Sequence, residues 1–342
     1  MRYTLYSEND VFLRRAFLAF PKGLYPPERQ TQDAKTEKQI LLGTHPLSVD
    51  FAAYPFLALD ENNQPSARCL LTLCPGDENG YVGFFESEDA PDAAALVLNA
   101  AADKARLFGR SRLVGPYNAS NWLGYRFKTS NFREFFTGEP NNKAFYPRLW
   151  EQCGFVVTDH YFSNHMRVPS DTGLRRLKAF REAGYDFRTI TFRTFDTCLE
   201  EICALIHALY GARPGFQYIT EEQFVALFSP LRYVLDHEMV KLVYKDDKLA
   251  AFVICVPNCG ARAAGLRSIR RAPEEYAISC IGVSPEHAGL GDALSELLEH
   301  DLRCRNCTSV TPLMRDGSAS GAFFQMPKTS RTDYVLMARE LI

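Results

Sequence analysis

Tyr276 to Leu297 reads Y-A-I-S-C-I-G-V-S-P-E-H-A-G-L-G-D-A-L-S-E-L, a set of residue types ordered to hold an anion. Ile278, Cys280 and Val283 suit a strand, and Pro285 ends it. Gly289 and Gly291 relieve Cβ crowding in a turn, and Leu294, Leu297 and Leu298 give the residues that follow a helical apolar face. A strand entering a helix through such a turn aims free backbone N–H groups and the positive end of the helix dipole at one point, where a phosphate fits. A packed strand-to-helix corner reads the same way when taken alone.

Other residues invite chemistry less distinctly. Gly115-Pro-Tyr-Asn-Ala-Ser-Asn-Trp122 sets Tyr117, Asn118, Ser120, Asn121 and Trp122 together, as the polar and aromatic wall of a small-molecule pocket would. A turn whose Asn and Ser side chains cap the backbone fits equally. His237 has the right ordinary pKa for a proton acceptor near neutrality, and it also reads as a turn residue before a strand. Cys280 lacks a histidine at catalytic spacing and sits mid-strand, so no covalent mechanism is expected from it. Cys304-x-x-Cys307 and Cys255-x-x-x-Cys259 have zinc-compatible spacings, but no ligand-rich loop or finger-like histidine accompanies them, and no metal is expected.

The elements that must position these residues occur twice. In the first half, strands are expected at Phe56 to Asp60, Arg68 to Leu73 and Tyr81 to Phe85, then a helix from Pro91 to Phe108 and a strand at Arg112 to Val114. In the second half they are expected at Val240 to Tyr244, Leu249 to Val256 and Tyr276 to Val283, then a helix from Asp292 to Leu302 and a strand at Ser309 to Met314. Turn signals, Asp60-Glu-Asn-Asn63 and Lys245-Asp-Asp-Lys248, match as well, which points to a duplicated unit. Between the halves, Leu174, Leu177 and Phe180 fall at helical spacing among Arg175, Arg176, Lys178 and Arg181, so residues 166–187 read as a connecting helix between domains at 1–165 and 188–342.

Size and charge favour a small-molecule ligand over a polymer or a membrane. The 342 residues allow two domains, and 46% hydrophobic content supports two cores. Lys plus Arg total 39 against 41 for Asp plus Glu, which leaves no electrostatic footprint for nucleic acid or an anionic membrane. The opening M-R-Y-T-L-Y-S-E-N-D lacks a signal-peptide core, and ten scattered cysteines suit a reducing compartment, so the cytoplasm is the expected location and a monomer or homodimer the expected state.

At these residues the chain resembles the GCN5-related N-acetyltransferase (GNAT) superfamily, in the tandem form of YghO-like bacterial proteins. V-S-P-E-H-A-G-L-G-D-A resembles the superfamily's fourth strand and pyrophosphate loop; G-Y-V-G-F-F-E, G-R-S-R-L-V-G-P-Y-N-A-S-N-W, N-N-K-A-F-Y-P-R-L-W-E-Q-C-G-F and Gly215-Phe-Gln-Tyr-Ile-Thr-Glu-Glu-Gln-Phe224 resemble the tandem subfamily. The resemblance implies an α/β (α+β) fold of two tandem GNAT-like domains, each a mixed, mostly antiparallel β-sheet flanked by helices. It implies acetyl-CoA or another acyl-CoA as co-substrate, with direct transfer to a small amine or amino-acid-like acceptor.

For the donor site it implies Cys280, Ile281 and Val283 along the strand, and Gly289, Leu290, Gly291, Asp292 and Ala293 around the pyrophosphate. Ser318 and Ser320 stand where the superfamily usually carries an asparagine contact. Glu275 occupies a common position for a base acting through water, with its neighbour Glu274 competing and a solvated strand end the plain alternative; Tyr334, in the final strand, is the candidate acid or a cleft wall, and also reads as a core aromatic. Two positions depart from the pattern: Ala288 replaces the usual Arg or Gln, and Asp292 puts a negative charge in the turn. In the first half the matching segment is Glu86-Ser-Glu-Asp-Ala-Pro-Asp92, whose four carboxylates repel phosphate at about 1 kcal/mol for each close contact, so that domain is expected to be a degenerate partner. The competing readings are a non-catalytic acyl-CoA or metabolite binder and a transferase of long-chain acyl or aminoacyl groups.

Overall fold

A computed structural model describes residues 2–169, 173–213, 215–260, 273–317 and 326–341. The first half forms β1 (Thr4–Tyr6), α1 (Val11–Leu24), α2 (Ala34–Leu41), β2 (Ala52–Leu59), β3 (Pro65–Leu73), β4 (Asn79–Ser87), α3 (Pro91–Leu107) and β5 (Arg112–Gly115). β6 (Phe127–Lys128), α4 (Tyr146–Gln152) and β7 (Val156–Met166) follow. After α5 (Arg175–Glu182) the order recurs: β8 (Asp186–Thr189), α6 (Phe195–Tyr210), α7 (Glu221–Phe228), β9 (Val240–Lys245), β10 (Lys248–Pro257), β11 (Glu275–Val283), α8 (Leu290–Cys304) and β12 (Thr308–Val310). β13 (Met314–Arg315) and β14 (Lys328–Glu340) close the chain. One succession, β-α-α-β-β-β-α-β, thus occurs twice.

The chain divides into two compact units, residues 1–134, 139–160 and 333–342, and residues 135–138 with 161–332. Two features differ from the division expected at 166–187. The connecting helix α5 belongs to the second unit, and the last ten residues belong to the first. The cause is strand pairing: Met337 to Glu340 of β14 pair antiparallel with Gly115 to Arg112 of β5, while His165 and Met166 of β7 pair with Val310 and Ser309 of β12.

In the first unit β1 to β4 pair antiparallel in sequence order, and β4 runs parallel to β5. Helix α3 buries Ala93, Ala94, Val97, Leu98, Ala101, Ala102 and Ala105, a face of small residues that lets the helix lie close on the sheet. In the second unit β8, β9, β10 and β11 are likewise antiparallel neighbours, and β11 runs parallel to β12. The β9–β10 hairpin turns through Asp246 and Asp247 at φ 49° and 59°, the doubly left-handed conformation that matches strand twist. Helix α8 buries Leu290, Leu294, Leu298 and Leu302 at i, i+4 spacing, each to within 2% of full burial. Each such leucine contributes about 1.5–3 kcal/mol of gross stabilisation, which fixes the helix, and with it the preceding turn, against the sheet.

Candidate functional site

Parallel strands β11 and β12 stay in register only over Glu275↔Thr308, Tyr276↔Ser309 and Ala277↔Val310. Beyond Ala277, β11 continues to Val283 with β10 on one side, and among the described residues no strand partner occupies the other. The strand also bulges: register shifts between Ile254 and Cys255 leave Ser279 outside the ladder, exposed. The result is a V-shaped opening with one backbone edge of β11 facing it. Cys280, Ile281 and Val283 line that edge, and the Tyr210 hydroxyl donates to the Ile281 carbonyl at 2.7 Å. Gly282 is obligatory there, because a Cβ would lie 2.4 Å from the Phe252 ring and 3.0 Å from Leu209. Burial pushes the Cys280 thiol up to about 12, so it is no nucleophile near neutral pH.

The strand leads into the turn Ser284 to Gly289. Gly289 caps α8 in the left-handed conformation, φ 81°. Among the described residues the first-turn N–H groups of Gly291 and Asp292 have no acceptor, while Leu290 and Ala293 donate to His287 and Gly289 carbonyls. Ala293 and Leu290 are fully buried and hold the turn from below. The Asp292 carboxylate turns sideways, 3.4 Å from Arg176 on α5. Helix α5 and Tyr185 just after it also brace α8 and the turn. Glu296 accepts from the Arg176 and Leu177 amides at 2.9 and 3.0 Å, the Phe180 ring lies below Gly289, and the Tyr185 hydroxyl is 3.0 Å from His287 Nδ1. A segment whose sequence reads as a connecting helix is thus the support of the turn before α8. Ser318 and Ser320 lie outside the described residues.

Glu275, at the paired end of the V, is held by three donors: His165 Nδ1 at 3.1 Å, Thr308 Oγ1 at 3.0 Å and Asn258 Nδ2 at 2.6 Å. Burial alone would raise its pKa, but the hydrogen bonds from His165 and Asn258 and the His165 charge outweigh it, and the carboxyl sits below the usual range. Asn258 is itself fixed, its Oδ1 accepting from the Thr137 and Gly260 amides at 3.0 Å each. The Phe136 ring stands edge-on to His165 at 6.4 Å. Sequence reasoning missed His165, Asn258 and Thr308; the first lies 110 positions from Glu275, and only the β7–β12–β11 register joins them.

His237 and Tyr334 take other places. His237 lies in a short 3₁₀ turn before β9, its Nε2 2.9 Å from the Arg232 carbonyl, between the rings of Phe192 and Phe195. Tyr334 belongs to the first unit, fully buried, and its hydroxyl donates to Glu139, which also pairs with Lys128 at 2.9 Å. Among the described residues no group of three or more His, Cys, Asp or Glu side chains could hold a metal ion.

The corresponding V of the first unit is filled by its own chain. The Tyr117 amide donates to the Val82 carbonyl at 2.8 Å, and the Phe84 amide donates to Asn118 Oδ1 at 2.7 Å, so the exposed edge of β4 is satisfied internally. A Cβ on Gly83 would lie 2.0 Å from the Tyr117 oxygen, and one on Gly115 would lie 2.6 Å from the Trp150 ring. Tyr117 and Ser120 are buried, Ser120 Oγ accepts from the Trp122 amide at 3.3 Å, and Asn121 and Trp122 are half-buried. Glu86 points into the core rather than toward a phosphate, accepting from Tyr146, Tyr25 and Gln32 at 2.8, 2.9 and 2.7 Å.

No protein-family model matches the chain. A curated bacterial ceramide synthase of Caulobacter vibrioides is 26% identical over 200 residues, covering 56% of this chain and 51% of that protein, so the match spans about half the relative's length. Protein YghO of Escherichia coli is 20% identical over 278 residues, covering 77% of this chain and 70% of that protein. Among solved structures, a tandem GNAT protein from the clavulanic acid biosynthesis pathway superposes over 100% of this chain and 99% of its own, with a TM-score of 0.57 at 15% identity. The fold is that of a tandem GNAT protein.

Proposed function

We propose that the protein is an acyl-CoA-dependent N-acyltransferase whose donor site lies wholly in the second unit. The observation that carries this reading is the open V between β11 and β12, continuous with the Gly289 turn and the N-terminus of α8. An extended chain bearing amides can pair with the edge of Cys280 to Val283, while the N–H groups of Gly291 and Asp292 meet a pyrophosphate. The 3.4 Å pairing with Arg176 offsets the charge of Asp292. The acceptor, a small amine or amino-acid-like molecule, approaches on the α6 side beside Tyr210, where the His207 and Tyr218 rings stack at 4.2 Å and Tyr218 is 65% exposed. Glu275 and its partners handle the proton of the attacking amine. Tyr334 and His237 keep structural roles, and Tyr117, Asn118, Ser120, Asn121 and Trp122 close the first unit rather than line a pocket. Ten free cysteines favour a reducing, cytoplasmic setting.

A second reading, a long-chain acyl donor, is favoured by the name of the Caulobacter relative. Calorimetric titration of the full chain with acetyl-CoA and with palmitoyl-CoA separates the two. A Gly291→Glu variant that still melts cooperatively is expected to bind neither, because its carboxylate occupies the phosphate turn. Absence of binding by the unaltered protein to both donors overturns the assignment. Binding without thiol release in the presence of a broad amine panel leaves a non-catalytic binder.

A further inference from the structure

We infer that His165 is the proton acceptor of this site and that Glu275 is its positioning residue, in place of the base role the sequence suggests for Glu275. The inference rests on the acyltransferase reading above. A carboxylate that already receives hydrogen bonds from a histidine, a threonine and an asparagine has little left to attract a further proton: its Oε1 takes His165 Nδ1 at 3.1 Å and Thr308 at 3.0 Å, and its Oε2 takes Asn258 at 2.6 Å. An imidazole whose Nδ1–H is donated to a fixed carboxylate carries its basic lone pair on Nε2, with tautomer and ring plane both set.

The supporting shell is unusually complete for a surface strand end. Asn258 is locked by the Thr137 and Gly260 amides, Thr137 Oγ1 donates to the Pro257 carbonyl and accepts from the Cys259 amide, and the Phe136 ring stands against the imidazole. The His165 and Glu275 side chains retain 14% and 18% of their exposure, so the pair is screened yet reachable. Strand alternation puts Glu275, Ala277, Thr308, Val310 and His165 on one face of the sheet, and Ala277↔Val310 is the last paired step before the V opens. Glu275 is hydrogen-bonded to the ring, and among the described residues Glu274 at the start of β11, Cys259 after β10 and Cys307 before β12 are further titratable groups on the neighbouring segments.

The step balances within the site. The amine nitrogen forms the C–N bond to the thioester carbonyl carbon, and its proton passes to His165 Nε2. The C–S bond breaks with its electron pair left on the coenzyme sulfur, and the imidazolium returns the proton to that thiolate. The product is an amide and a free thiol.

Two measurements on the full chain test this. In ¹⁵N-histidine-labelled protein, His165 is expected as the Nδ1–H tautomer, with Nε2 unprotonated above its titration, and Glu275→Gln is expected to disturb that assignment. An Nε2–H tautomer overturns the inference whatever the donor. With acetyl-CoA and whichever amine of the panel releases thiol, His165→Gln is expected to lower kcat about 10²–10⁴-fold and abolish the acidic limb of the pH profile, with acetyl-CoA affinity unchanged. Retained rate and profile in His165→Gln overturn it while leaving donor binding, and hence the acyltransferase reading, intact. If the unaltered protein binds no acyl-CoA, that reading fails separately, and the tautomer still decides the geometry of the pair.

Discussion

Arg176 Nη1 lies 3.4 Å from Asp292 Oδ2, so the one negative charge at the head of α8 is answered from α5. Both side chains are well exposed, 60% and 41%, so the attraction itself is worth at most about 1 kcal/mol. Its importance lies in what a phosphate would meet. Arg176→Ala is expected to weaken acetyl-CoA binding several-fold at low salt, about 1 kcal/mol, with Arg176→Ala/Asp292→Asn restoring it. Calorimetry at two salt concentrations checks this; equal affinity in the single variant and the unaltered protein would refute it.

Among the described residues of the first unit, the edge of β4 that matches the open edge of β11 is closed by its own chain. Titration should therefore saturate at one acyl-CoA per chain. Gly83→Ala, which forces a Cβ against the Tyr117 carbonyl, should lower the melting temperature by an amount equivalent to about 1–3 kcal/mol while donor affinity stays constant. A stoichiometry of two would contradict the internal closure of β4.

Tyr334 and Lys128 converge on Glu139 with all three side chains buried. Lys128→Met strands the carboxylate without its cation and should cost about 3–5 kcal/mol; Tyr334→Phe should cost about 1–3 kcal/mol. Chemical denaturation measures both. A Tyr334→Phe protein of full stability and no activity would instead restore the tyrosine to the chemistry.

The folded Glu275 carboxyl lies below its ordinary value of 4.5, so its ionised form is favoured by folding. The corresponding stability is complete above about pH 4.5 and is lost as pH falls through the lower folded value. Glu275→Gln should accordingly destabilise the protein near pH 7 and cost progressively less in acid. Melting curves from pH 7 to 3 follow the difference; a gap independent of pH would remove the carboxylate from the account.

Much of this was legible in the residues, for identifiable reasons. Pro285, Gly289 and the leucines of α8 act within a few positions of one another, so local conformational preference and apolar spacing reveal the turn and the helix it feeds. Asp60 to Asn63 and Lys245 to Lys248 do the same for the hairpins. What escaped depends on distant pairing. Nothing near Glu275 announces His165, since their meeting requires β12 to lie between β7 and β11. Helix α5 reads in sequence only as a connecting helix because arginines dominate it; Leu177 is nonetheless 2% exposed and Phe180 supports Gly289. Asn118 was ambiguous between pocket and cap because an amide serves both, and only the 2.7 Å bond from the Phe84 amide decides for the cap.

The pairing of Met337 to Glu340 with β5 has a consequence for synthesis. The N-terminal unit cannot complete its sheet when residues 1–160 leave the ribosome, because the strand that finishes it, β14, is translated only after the second unit. A frameshift or stop codon around position 333 would therefore injure the unit made first, exposing the edge of β5, while sparing the sequence of the Gly289 turn made after it. Quality control acting on such a product would recognise damage at β5, far along the sequence from the lesion.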